Sequence, residues 1–275
     1  KGKYINILIF STAWPLFNNK SEIKRINEFN SEYKLNLSPV RQIPKVKISN
    51  LKSFDDIYLI GNDWTLSTYP KSLQKRIKLI PNQPSFYSSE LISPVILKNK
   101  KRTKIIFFGS SLGLVHKGLD LALKAVNELS NYDLEFLIMG KLDGEVRVMQ
   151  SLQKLMSNKS IKKVGWVNVG SKKFLNIFKK ASFCLSPTCS EGQSESLLNC
   201  MANGIIPITT KMSGIDIDKK CIEIENNIFS IKEAIKNAIN LEEDELYNMR
   251  KNCIKYVNDL RIISDEMEND IIRNM

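Results

Sequence analysis

Between about residues 103 and 210 the chain alternates short, nearly continuous apolar runs with stretches whose apolar residues recur at helical spacing. That alternation restricts the fold more than any other feature. The runs lie at residues 104–109, 134–140, 161–167, 181–187 and 205–210, and the helical stretches at 119–126, 146–156 and 174–181 fall between them. A strand that is apolar on both faces must be covered on both faces, which a parallel sheet between two layers of helix achieves. The predicted fold class is therefore α/β, a doubly wound parallel sheet. Ligands of such sheets bind beyond the carboxyl ends of the strands.

The first hundred residues are less regular. Strands are predicted at 5–10, 56–61 and 77–81 and a helix at 21–33, with Glu22 and Arg25 on its exposed face. Pro81, Pro84 and Pro94, followed by the basic cluster Lys98-Asn99-Lys100-Lys101-Arg102, mark a linker. The chain divides into a smaller α/β N-terminal domain over residues 1–95 and a C-terminal domain over 96–275. Helical patterns at 231–241, at 243–257 and after 260 close the second domain.

The 275 residues are 43% apolar, and no apolar run approaches the roughly 20 residues of a membrane span. The first residues lack the small-residue cleavage site of a signal peptide. Five cysteines without a C-x-x-C pair argue against zinc. They fit buried small side chains in a reducing cytoplasm. The net charge of +12 comes without an aromatic-interleaved basic motif or a helix-turn-helix pattern, so nucleic acid is not an expected partner. A solvated basic surface remains, which also suits peripheral contact with an anionic membrane at its inner face.

Two loops carry the chemistry. The first is Ser190-Glu191-Gly192-Gln193-Ser194-Glu195-Ser196, between the apolar run ending at Pro187 and a short helix with Leu197, Leu198 and Met201 on one face and Gly204 as its stop. An acid, a small-residue turn and a helix N-terminus at a strand's carboxyl end suit a sugar linked to a phosphate. The first-turn N–H groups hold an anion, and the acid accepts bonds from hydroxyls. The second loop is Phe108-Gly109-Ser110-Ser111-Leu112-Gly113-Leu114-Val115-His116-Lys117-Gly118-Leu119-Asp120. Gly109 and Gly113 permit close backbone approach, and Lys117 stands before a helix where its charge reaches a phosphate. The loop is neither a Walker A loop nor a G-x-G-x-x-G fingerprint, which excludes the usual ATPase and nicotinamide sites.

These two motifs, with Val164-Gly165-Trp166 between them, resemble the donor-binding domain of retaining GT-B glycosyltransferases of family 4, the glycosyl transferases group 1. The resemblance implies a GT-B-like fold. It further implies a hexosyltransferase-type enzyme that moves a sugar from a nucleotide-diphosphate sugar to a glycan or lipid-linked acceptor in surface polysaccharide synthesis. Retention at the anomeric carbon and no obligatory metal or cofactor are implied as well. Glu191 and Lys117 correspond to the catalytic pair. Gly109, Ser110, Lys117, Ser194, Glu195, Ser196 and Asn199 fall at donor-binding positions. The family motif is E-x7-E, and Asn199 stands where the second acid would contact the ribose. Ser110 stands where the family often has an arginine. Glu195 is either a second acid in the sugar site or a first-turn residue facing solvent. His116 reads as a loop side chain rather than a base, and Trp166 as a packing residue rather than a stacking platform. Family members devote more chain to the first domain, so it is expected to be truncated or reduced, with no counterpart of the acceptor-side base. These departures leave a second reading, a catalytically degenerate module that binds a nucleotide sugar or glycan.

Overall fold

Six parallel strands make the larger sheet of the computed structural model, which describes residues 5–109 and 112–273. They are β4 (Lys101–Phe108), β5 (Glu135–Met139), β6 (Ile161–Gly165), β7 (Ala181–Ser186), β8 (Ile206–Thr209) and β9 (Ile222–Glu223). Their spatial order is β6-β5-β4-β7-β8-β9, and all five pairings are parallel. The chain winds outward from β4 to β6, then crosses back to β7 and winds outward the other way. A crevice therefore opens between the loops after β4 and β7, the place where such sheets bind ligands. The two chemistry-bearing motifs are those loops.

The three smaller strands β1 (Ile7–Phe10), β2 (Asp56–Ile60) and β3 (Ile77–Ile80) form a second parallel sheet in that order. Together the two sheets give the expected GT-B-like α/β architecture. Helices α5 (Leu119–Glu128) and α9 (Ile228–Ile239) pack on each other, as do α8 (Glu195–Ala202) and α10 (Glu243–Arg273). Local signals place the ends well. Asn227 caps α9 by accepting a bond from the Ser230 N–H at 2.8 Å, and Gly204, at φ +67, follows α8.

Several elements differ from expectation. The first helix, α1 (Pro15–Tyr33), begins six residues before residue 21, because Pro15 is pre-set for the first turn. The helix expected over 146–156 is α6 (Val146–Ser151) followed by a 3₁₀ turn at Leu155–Ser157. The helical patterns expected at 243–257 and after 260 are one continuous helix, α10.

The hydrophobic cores do not follow chain order. Ile26 and Phe29 of α1 belong to the large core under the six-stranded sheet. Trp14, Leu51, Ile57, Leu59, Tyr69, Leu73 and Ile77 make a smaller core of their own. Helix α1 thus straddles both bodies, which corrects the exposed-face assignment of Glu22 and Arg25. Glu22 is buried, and Arg25 is buried in a two-pronged pair with Asp120 of α5, at 2.9 and 2.8 Å. Helix α10 closes the connection from the other side. Its Asp265 accepts a bond from Gln83 at 3.1 Å, and Arg261 lies over the Tyr87 ring at 5.7 Å.

Candidate active site

The loops after β4 and β7 meet face to face. Lys117 Nζ lies 2.5 Å from Glu191 Oε1, although 74 positions separate the two residues in the chain. Thr188 Oγ1 donates to the same oxygen at 3.1 Å. Gly118 sits between the loops at φ +77, where an added Cβ would stand 2.3 Å from the Pro187 carbonyl oxygen. Both its conformation and the close approach require glycine.

His116 binds the loops together. Its backbone carbonyl accepts the Cys189 N–H at 3.0 Å, and its Nε2 lies 2.6 Å from the Ser190 carbonyl oxygen. A carbonyl only accepts, so Nε2 carries the proton. Burial lowers the imidazole pKa and keeps the ring neutral, against the pull of Glu191. The geometry makes His116 a positioning residue for the Glu191 loop. Burial likewise pushes the Cys189 thiol up to about 12, and all five cysteines are buried free thiols.

A cleft of about 270 Å³ surrounds the pair. Gly109, Lys117, Glu191, Ser194, Glu195 and Ser196 line it from the C-terminal domain, and Ser11, Arg41 and Asn82 from the N-terminal side. Glu195 is exposed at the start of α8. Ser194 stands at the N-cap, but its hydroxyl makes no capping bond and instead lies 3.0 Å from Ser196 Oγ. The positive end of α8 is thus aimed at the cleft. Among the described residues no group of three or more His, Cys, Asp or Glu side chains is placed to hold a metal ion.

One expected donor residue stands elsewhere, and another cannot be placed. Ser110 lies outside the described residues. Asn199 is buried on α8 and does not border the cleft. Its Oδ1 accepts the Phe86 N–H at 2.9 Å and its Nδ2 donates to Ser85 Oγ at 3.1 Å. With Gln193, whose Oε1 accepts the Asn82 N–H at 2.6 Å, it anchors the segment joining the two domains. Trp166 is 61% exposed at the carboxyl end of β6, which corrects its reading as a packing residue. Its indole N–H donates to Asn168 at 2.7 Å. Arg41 carries no local sequence signal, and Gln193 none beyond its place in the loop at 190–196, since their positions depend on contacts across the domain boundary.

Glu191 remains charged. Burial alone would raise its pKa, but Lys117, then Arg41, outweigh it and hold the carboxyl at about 2. The folded value lies below the ordinary value of about 4.3, so the contribution to stability is fully present above the ordinary value and lost as pH falls toward the folded one. The stability difference between wild type and Glu191→Gln should accordingly stay constant above about pH 5 and shrink toward about pH 2. Urea midpoints measured down to the acid limit of the fold check this, and a difference independent of pH would contradict it.

The fold is thus a two-domain α/β architecture in which an acid and a lysine, both carried by the C-terminal domain, meet at the ends of β4 and β7 and border a cleft shared with the N-terminal domain. Residues 102–240 match the family model for glycosyl transferases group 1, and the chain belongs to that family. No curated protein sequence matches it. Among solved structures it is similar to a glycosyltransferase from Rickettsia africae ESF-5, with 14% identity and a TM-score of 0.64 over 95% of this chain and 83% of that one. It is also similar to Anabaena HepE in complex with UDP and glucose, with 12% identity and a TM-score of 0.62 over 80% and 64%. A third is a mutant of S. aureus TarM in complex with fondaparinux, alpha-GlcNAc-glycerol and UDP, with 12% identity and a TM-score of 0.64 over 96% and 50%. The likeness is one of fold, and the chain spans less than two thirds of the length of the last two.

Proposed function

We propose that this protein transfers a hexose from a nucleotide-diphosphate sugar to a glycan or lipid-linked acceptor, with retention at the anomeric carbon, in surface polysaccharide synthesis. The observation that carries the reading is the Lys117–Glu191 pair at 2.5 Å in a cleft lined by both domains. Lys117 and the first turn of α8 at Ser194–Ser196 meet the charge that builds on the leaving diphosphate. Gly109 lets the diphosphate approach the backbone. Glu191 leaves Lys117 to accept bonds from the sugar hydroxyls. Positioning and electrostatics supply the catalysis, without an obligatory metal. Contact between Asn199 and the ribose requires Ser85 and Phe86 to release the amide.

The acceptor would be handled at the inner face of the cytoplasmic membrane. Among the described residues no helix is long and apolar enough to cross a membrane. Leu16 and Ile23 are exposed on α1 near Lys20 and Lys24, a combination that suits an anionic surface.

A thermal-shift screen against UDP-, GDP-, ADP- and TDP-sugars tests the donor site. One of them should raise Tm, with a stabilisation of about 2.7 kcal/mol at a hundredfold excess over Kd. No shift with any of the four would sink the proposal. The engagement of Asn199 with the linker favours a second reading, a nucleotide-sugar-binding module without turnover. Binding without transfer or donor hydrolysis would decide for it.

A further inference from the structure

We propose that Thr65, a residue of the N-terminal domain that does not border the cleft, is a positioning residue of the donor site and sets the spacing between Glu191 and the start of α8. The inference rests on the nucleotide-sugar reading and adds a residue to it. On that reading Glu191 meets the sugar and Ser194–Ser196 meet the diphosphate. The turn 191–193 between them therefore decides whether one ligand reaches both. Each carbonyl of that turn is held by the N-terminal domain, and each by the segment after a different strand. Glu191 O accepts the Ala13 N–H at 3.2 Å, from the loop after β1. Gly192 O accepts the Thr65 hydroxyl at 2.7 Å, from the segment after β2. Gln193 O accepts the Asn82 side-chain amide at 2.9 Å, just after β3.

Thr65 is locked into this contact. It is fully buried on the short helix α2 (Asp63–Ser67), whose N-cap Asn62 accepts the Thr65 N–H at 3.0 Å. The Thr65 hydroxyl also lies 3.1 Å from Asn62 Oδ1. A hydroxyl has one proton to give, and the shorter contact directs it at Gly192. Gly61 leaves room for the side chain, since a Cβ there would stand 2.9 Å from Thr65 Cβ. Gly192 completes the fit from the other domain. A Cβ at Gly192 would stand 2.2 Å from the Ser11 carbonyl oxygen, so only glycine lets the turn lie this close to the N-terminal domain. At the end of the turn the Ser194 N–H donates to Ser213 O at 3.0 Å, which ties the start of α8 to the segment after β8.

Removing the hydroxyl leaves a buried carbonyl short of a donor, and the turn shifts to find another. Such a shift changes the distance from Glu191 to α8. A misplacement of about 1 Å is costly even when the altered residue is remote from the chemistry. A nucleoside diphosphate uses only the Lys117 and α8 end of the site, whereas a nucleotide sugar uses both ends. The alternative is that Thr65 merely ties the domains together. A purely structural bond lowers Tm but leaves the folded protein's preference between the two ligands unchanged, so the two roles predict different measurements.

The test is calorimetric titration, well below Tm, of UDP-, GDP-, ADP- and TDP-glucose, UDP-N-acetylglucosamine and GDP-mannose, each beside its nucleoside diphosphate. The proteins are wild type, Thr65→Val, Thr65→Ala and Thr65→Ser. Thr65→Val keeps the shape and removes the donor. It should weaken the nucleotide sugar that wild type binds by roughly 10-fold and leave its nucleoside diphosphate nearly unchanged. Thr65→Ser keeps the hydroxyl and should restore most of the affinity. Thr65→Ala also lacks the hydroxyl and carries the test if Thr65→Val does not fold. Unchanged nucleotide-sugar affinity, an equal loss for both ligands, or a Thr65→Ser protein as weak as Thr65→Val overturns the role of Thr65. Failure of both Thr65→Val and Thr65→Ala to fold makes the hydroxyl a structural tie and overturns it as well. If wild type binds none of the nucleotide sugars, the nucleotide-sugar reading falls and takes this inference with it.

Discussion

Lys117→Ala is expected to slow sugar transfer by roughly a hundred- to a thousandfold, or about 2.7–4 kcal/mol of transition-state stabilisation. The reason is geometric. Lys117 is largely buried just before α5, beside the Glu191 carboxylate, and a preorganised charge in a water-poor site acts most strongly where charge develops. Removing the lysine also leaves Glu191 short of a partner, with Arg41 at 3.8 Å and Thr188 at 3.1 Å still in place. Some stability is therefore lost with the activity. The double variant Lys117→Ala/Glu191→Gln removes both charges together and should recover most of the lost Tm without recovering turnover. Donor turnover and Tm, read on wild type, both single variants and the double variant, separate the two effects. Near-normal turnover in Lys117→Ala would remove this residue from the mechanism.

Asp120→Asn is expected to have the largest effect on stability, about 3–5 kcal/mol, out of a total that for most domains is about 5–15 kcal/mol. The Arg25–Asp120 pair joins α1 to the first turn of α5 with both side chains almost fully buried, at 6% and 2% exposure. Breaking it leaves the interior guanidinium with the half-exposed Glu28, at 2.6 Å from Nη1, as its remaining charged partner, and its Nε has no partner among the described residues. Replacing both members, as in Arg25→Met/Asp120→Leu, avoids an orphaned charge and should cost far less than either single change. Urea midpoints of the three variants test this. Additive losses in the double variant would mean that the pair is not energetically coupled. By contrast, the exposed pairs Lys24–Glu28 and Lys255–Asp259 should be worth less than about 1 kcal/mol each.

The sequence by itself determined the sheet and the edge at which the loops carrying Lys117 and Glu191 lie. A strand buried on both faces announces itself by composition, as residues 104–109 and 181–187 do. A helix end announces itself by Asn227 or Gly204, because those signals act within a few residues. The order of strands and helices then sends the loops carrying Lys117 and Glu191 to one edge, since parallel strands all end on the same side. What only tertiary structure decided involves residues far apart in the chain. Arg25 finds Asp120 95 positions away, and the face of α1 that it occupies has the same local pattern whether it meets water or another domain. Asn199 turns to the linker, Trp166 stands in solvent, and Arg41 reaches the cleft from a loop without regular structure. Local periodicity says nothing of these, because their partners are supplied by packing between bodies and not by neighbours in the chain.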